Sequence, residues 1–145
     1  MASARENDLN PDIFIGLKLP FNRDKSGLFG RTQTTLEQAG SNIKNLLLTA
    51  KGERVMQPDF GSRLRELLFE QYTEDLSSRI QSEIQDAIST WLPYINISNV
   101  NIIQSDEDPN TTNVSIDFAL NYEPDRFESI TLNFEGDSES TSVGY

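Results

Sequence analysis

"TEDLSSRIQSEIQDAISTWLPYINISNV", residues 73–100, changes its apolar period partway along. In the first part Leu76, Ile80, Ile84, Ala87, Ile88 and Trp91 recur at three- and four-residue steps, one stripe of an amphipathic helix. Thr73 stands where an N-cap belongs, Glu74 and Asp75 suit the positive end of the helix dipole, and Pro93 closes the helix. The other face is Ser, Gln and acid, with Arg79 and Glu83 spaced i,i+4 for an ion pair. Beyond Pro93 the apolar residues alternate: Ile95 and Ile97, then Val100 and Ile102. Their parity slips at Ser98-Asn99, which predicts a bulge or a strand that begins only after it.

The strand signal continues downstream. "NVSIDFALNY" (113–122) places Val114, Ile116, Phe118, Leu120 and Tyr122 inward, and "SITLNF" (129–134) repeats the pattern with Ile130, Leu132 and Phe134. The connectors between these strands are short enough for an antiparallel meander. Such a sheet has two edges, and each must be covered or used. The last strand is the natural candidate for pairing with another chain, unless the N-terminal arm caps it.

Upstream, Thr34 and Glu37 have capping-box spacing, and Leu36, Ala39, Ile43, Leu46, Leu47 and Ala50 form a second apolar face. Lys51-Gly52 reads as a helix stop, and Ser62 as the cap of a short helix bearing Leu64, Leu67, Leu68 and Phe69. The fold class expected is α+β: an N-terminal extended arm and three helices, one short, packed on a small antiparallel three-stranded meander sheet. The expected limits are a flexible N-terminus (1–12), one domain (13–135) and a flexible acidic tail (136–145). Within the arm, Ile13, Phe14, Ile15, Leu17, Leu19 and Phe21 are too apolar to dangle in water. The arm either crosses the domain's own core or docks on a neighbour.

The bulk numbers bound the function. A chain of 145 residues holds one domain with a real core, and its mean hydropathy of −0.49 suits a soluble one. No apolar run approaches the ~20 residues that cross a bilayer, and the polar, acidic start shows no secretion signal. Residues 1–70 carry 10 Lys/Arg against 9 Asp/Glu, a net of +1, and residues 71–145 carry 2 against 14, a net of −12. So acidic a half repels phosphate backbones and anionic membranes, so neither nucleic acid nor membrane insertion is expected.

With no His and no Cys, the usual nucleophile–base pairs and zinc sites cannot be built, and no cofactor is expected. "DEDPNTTNVSID" (106–117) matches an EF-hand loop only at Asp106, Asp108 and Asn110; Thr111 replaces the required Gly, and Asp117 falls in a strand. A glycosidase needs two carboxylates across a cleft, and acids such as Glu53, Asp59, Glu66 and Glu70 are available. Glu53, however, adjoins Lys51 and Arg54, cations that favour the ionised form, whereas a general acid must hold its proton.

The most elaborate stretch is the connector between the first two helices, "KGERVMQPDFGSRLRELLFE" (51–70). Gly52 and Gly61 permit bends and Pro58 fixes a dihedral, while Val55, Met56 and Phe60 can pin the turn to the helices. Glu53 and Arg54 form either an internal ion pair that locks the turn or an Arg-centred contact with an acidic or carbonyl-rich partner.

The segment "LLLTAKGERVMQPDFGSRLRELLFE" (46–70), with "IGLKLPF" upstream and a long helix before a strand meander downstream, resembles the baseplate-wedge family of contractile injection machines. That family includes the sheath initiators of contractile-tailed phages and relatives in type VI secretion and tailocins. The resemblance spans roughly residues 13–135. It implies a non-enzymatic subunit of the virion tail baseplate that links wedge to tail hub and templates the first sheath ring by β-strand exchange. Its implied partners are other baseplate wedge proteins, tail hub or tube proteins, and the sheath subunit. The docking residues it implies are Glu53, Arg54, Pro58, Phe60, Gly61, Trp91 and Pro93, with Ile130, Leu132 and Phe134 on the exchange strand. Family members often end the long helix with Trp-Glu-Pro-Arg; here "TWLPYI" puts Leu92 and Tyr94 at the charged positions, which suggests an apolar or aromatic contact. The alternative is a lysozyme-like peptidoglycan hydrolase associated with a tail.

Overall fold

The computed structural model describes residues 4–19, 21, 23, 29–70, 73–104 and 111–135. Three strands, β3 (Ile95–Gln104), β4 (Thr111–Leu120) and β5 (Glu123–Glu135), form an antiparallel sheet in the order β3-β4-β5. Alternation along β4 sends Val114, Ile116, Phe118 and Leu120 into the core, each at most 1% exposed. The register of β3 against β4 shifts between Ile97 and Asn99, so Ser98 is the bulge that the broken parity predicts. Tyr122, expected inward, is instead exposed in the tight turn between β4 and β5.

Helices α2 (Thr35–Leu48) and α4 (Glu74–Trp91) cover one face of the sheet, α2 against β5 and α4 against β3. Their stripes are the predicted ones: Leu36, Ala39, Ile43, Leu46 and Leu47 from α2, and Leu76, Ile80, Ile84, Ala87 and Ile88 from α4, are all buried. Helix α3 (Leu64–Leu68) closes the end of this core with Leu64 and Leu67. Burying a side chain of this size contributes roughly 1.5–3 kcal/mol. The layered α+β architecture therefore follows from two helical stripes and one alternating sheet face sharing a single core.

The caps differ in detail. Thr34 Oγ1 accepts from Glu37 N at 3.2 Å, but Glu37 Oε2 reaches back to Gln33 N rather than to Thr34. Thr73 has extended backbone before α4 without a side-chain cap bond. The predicted Arg79–Glu83 pair does not form. Arg79 instead grips Glu70 at 2.5 and 3.2 Å, and Glu83 bonds to Lys51 at 3.3 Å. Partners brought close by the fold displace the local i,i+4 pair.

At the N-terminal end, residues 4–8 of the segment expected to be flexible form a fourth helix, α1 (Ala4–Asp8). Asp8 Oδ1 accepts from both N and Oγ1 of Thr35 at 2.9 and 2.8 Å, which ties α1 to the start of α2. The arm holds a second, two-stranded sheet, β1 (Gly16–Leu17) with β2 (Arg31–Thr32). It lies against α2 and contributes nothing to the main apolar core. Phe14, Ile15, Leu17 and Phe21 remain exposed and Ile13 and Leu19 are half-buried, so the described residues of the arm do not cross the domain's interior. Of the EF-hand-like segment, Thr111 and Asp117 lie in β4, while Asp106, Asp108 and Asn110 fall outside the described residues, as do Pro20, Gly27 and the tail 136–145.

Candidate docking surface

The connector leaves α2 through Thr49, whose Oγ1 donates to Asn45 O at 2.6 Å. Gly52 N donates to Pro58 O at 2.7 Å and closes a loop over residues 52–58. Gly52 has φ +89 and Gly61 φ +123, both in the region that disfavours a Cβ. At Gly61 a Cβ would also strike the carbonyl oxygen of Thr49. Behind the loop, Ser62 N donates to Thr49 O at 2.9 Å, and Ser62 Oγ donates to Leu47 O at 2.9 Å and accepts from Leu64 N at 3.3 Å. Ser62 thus holds the end of α2 to the start of α3, doing more than the simple cap expected of it.

Glu53 and Arg54 do not pair with each other. Glu53 Oε2 accepts from Ala50 N at 2.9 Å, so this carboxylate caps the chain inside the connector. The Arg54 guanidinium stacks on Phe60, 4.0 Å from the ring centroid, and Phe60 meets Trp91 edge-on at 5.2 Å. This Arg54–Phe60–Trp91 ladder fastens the connector to the last turn of α4. Glu83 of α4 fastens its base: Oε1 takes Lys51 Nζ at 3.3 Å and Arg63 N at 2.8 Å.

Once the turn is locked from within, its tip faces outward. Val55 is 93% exposed and Met56 96%, so neither pins the connector to the helices as the sequence suggested. The loop thus presents an exposed apolar pair at its apex, held there by the bracing beneath it. These two residues are the functional candidates that sequence reasoning misplaced. The signal was the residue pair itself, apolar amid a run of polar neighbours.

Of the docking residues suggested by resemblance, Arg54, Phe60 and Trp91 come together, with exposed Pro93 just beyond. Glu53, Pro58 and Gly61 shape the turn from within. Leu92 is buried in the core, and Tyr94 Oη accepts from Asn42 Nδ2 at 2.8 Å, so both residues at the charged positions of the family motif have internal partners. Ile130 and Leu132 of β5 are buried on the helix-covered face and Phe134 is half-buried, so these side chains hold β5 in place rather than lining its free edge.

Comparison with known proteins agrees with this architecture. A family model described as "Baseplate wedge protein gp25" matches residues 35–125. Baseplate wedge protein gp25 of Enterobacteria phage T4 is 31% identical over 129 residues, covering 89% of this chain and 93% of that protein. A crystal structure from Geobacter sulfurreducens, assigned provisionally as a tail lysozyme, superposes with a TM-score of 0.63 at 23% identity over 72% of this chain and 93% of that one. A chain of the anti-feeding prophage baseplate does so with a TM-score of 0.54 at 18% identity over 84% and 85%. The last two are likenesses of fold alone. By the match over residues 35–125 and the extent of the T4 similarity, the chain belongs to the Baseplate wedge protein gp25 family, the structural wedge components of contractile-tail baseplates.

Proposed function

We propose that the chain joins the baseplate wedge to the tail hub and templates the first sheath ring by strand addition along β5, after assembly in the host cytoplasm. The contrast between the two edges of the main sheet carries this reading. The β3 edge is broken by the bulge at Ser98, and the Val100 carbonyl is engaged by Gln81 Nε2 at 3.1 Å. The 13-residue β5 has its own register shift, opposite Ala119 and Leu120, but from Phe127 to Glu135 it pairs with β4 without a break and is held from behind by Ile130 and Leu132. A long, braced edge is a template for a further strand, and backbone hydrogen bonds supply its affinity. On the same reading the Val55–Met56 tip and the Arg54–Phe60–Trp91 ladder seat the subunit on other wedge or hub proteins.

Deleting residues 128–145 would remove core side chains together with the edge, so a milder variant is the better test. Ser129→Lys with Thr131→Lys adds cations to two exposed positions of β5 and leaves its buried face alone. Sheath assembled in producing cells, counted by electron microscopy, is expected to fall sharply while the subunit keeps its melting temperature. Normal sheath from this variant would remove the template role. No catalytic role belongs to this proposal: of the carboxylates available to the hydrolase alternative, Glu53 is engaged as a backbone cap and Glu70 grips Arg79. Purified protein is expected to leave peptidoglycan intact in a clearing assay.

A further inference from the structure

Of the two edges of the main sheet, that of β3 is guarded by its bulge and by Gln81, and that of β5 is not. β5 runs against β4 without a break from Phe127 to Glu135, and this stretch, "FESITLNFE", holds no proline and no cation. Such an edge presents a row of backbone N–H and C=O groups to whatever strand can pair with them. Its two faces differ. Ile130 and Leu132 are buried toward the helices, while Ser129 and Thr131 stand exposed on the open face.

The sequence that follows β5 carries the complementary pattern. Residues 136–145 read "GDSESTSVGY". Gly136-Asp137 is a two-residue hairpin signal, because Gly in the first position supplies the positive φ of a type II′ turn. A two-residue turn at this point fixes the register, with Ser138 opposite Glu135. Thr141 then falls opposite Leu132 and Val143 opposite Ile130, so β-branched side chains meet the buried side of β5. Ser142 falls opposite Thr131, so hydroxyl meets hydroxyl on the open face. A slip by one residue reverses both matches. The length agrees as well: in this register residues 138–145 reach back to Glu128, one position short of the far end of the unbroken stretch.

We propose that residues 138–145 fold back along β5 as a fourth strand of the main sheet, an intramolecular cover for its open edge. The proposal concerns the chain on its own and does not depend on what the edge templates. A strand from another protein that takes this edge must first displace the cover.

The chain has no cysteine, so introduced pairs report the register directly. In the full chain, Thr131→Cys/Ser142→Cys sets two thiols opposite each other, within reach of a disulfide. Thr131→Cys/Ser138→Cys leaves them about 13 Å apart along the strands, beyond that reach. Disulfide formation in glutathione buffer, followed by mass spectrometry, is expected to be roughly ten-fold faster for the first pair. A tail that does not pair gives the opposite order, the shorter loop of the second pair closing about two-fold faster. Gly136→Val, added to the first pair, should slow its closure toward that of an unpaired tail, because a β-branched residue resists positive φ. A melting temperature shared by all variants is the control for folding. The proposal is overturned if the second pair closes as fast as the first or if Gly136→Val changes nothing. It is overturned too if the first pair yields crosslinked dimers, which would put a second copy on the edge. The sheath count of the Ser129→Lys/Thr131→Lys variant is a separate measurement, so either proposal can fail alone.

Discussion

Gly52 and Gly61 both hold positive φ, yet they differ in what surrounds them. Nothing lies within contact of a Cβ at Gly52, so Gly52→Ala is expected to cost only the left-handed backbone strain, about 1–2 kcal/mol. Gly61→Ala adds a collision with the Thr49 carbonyl, whose oxygen already accepts from Ser62 N, and is expected to cost clearly more. Urea denaturation of the two variants side by side checks the order; equal losses would mean that the connector can relax. Lys44 offers a second test at this scale. Burial and Lys18 lower its pKa from 10.5, so near neutral pH folding keeps its charge in a place that disfavours it. In the window between the folded pKa and 10.5 the unfolded chain binds more protons, so this group's contribution to stability rises with pH and levels off above the window. Thermal melts of the parent and Lys44→Met across that range should converge as pH rises. A constant difference would contradict the assignment.

Among the elements, the connector shows where sequence reading succeeds and where it stops. Its two glycines, its proline and the aromatic Phe60 are legible as a shaped turn because backbone preferences are local. The ladder to Trp91 and the double bond to Glu83 are not, because they join residues twenty or more positions apart. Spacing likewise pairs Arg79 with Glu83, but the turn between α3 and α4 brings Glu70, nine positions back, to Arg79 instead. Val55 and Met56 were misplaced by residue type: apolar side chains are usually buried, but these stand at the apex of a loop that Gly52 and Pro58 close beneath them. Glu83→Gln should loosen the connector at both ends, lowering stability by about 1 kcal/mol and raising hydrogen exchange at Arg63. Arg79→Gln, which breaks an exposed surface pair, should change stability less. The reverse order would move the brace from Glu83 to Arg79.

For the whole molecule, periodicity carried most of the fold. The stripes of α2 and α4 and the alternation of β4 and β5 match the buried residues, and broken parity located the bulge in β3. The arm was harder to read, because a two-residue strand pair on a helix leaves no periodic signature. The core and the surfaces should also be separable by mutation. Phe118, fully buried between sheet and helices, should cost about 3–5 kcal/mol as Phe118→Ala, whereas the exposed tip should cost almost nothing. The most direct measurement is therefore co-purification of baseplate proteins from producing cells with the tagged parent and with the Val55→Ser/Met56→Ser double variant, melting temperatures recorded for both. The expected result is loss of wedge and hub proteins from the double variant with an unchanged melting temperature. Equal recovery from parent and variant would contradict the connector tip as the docking surface.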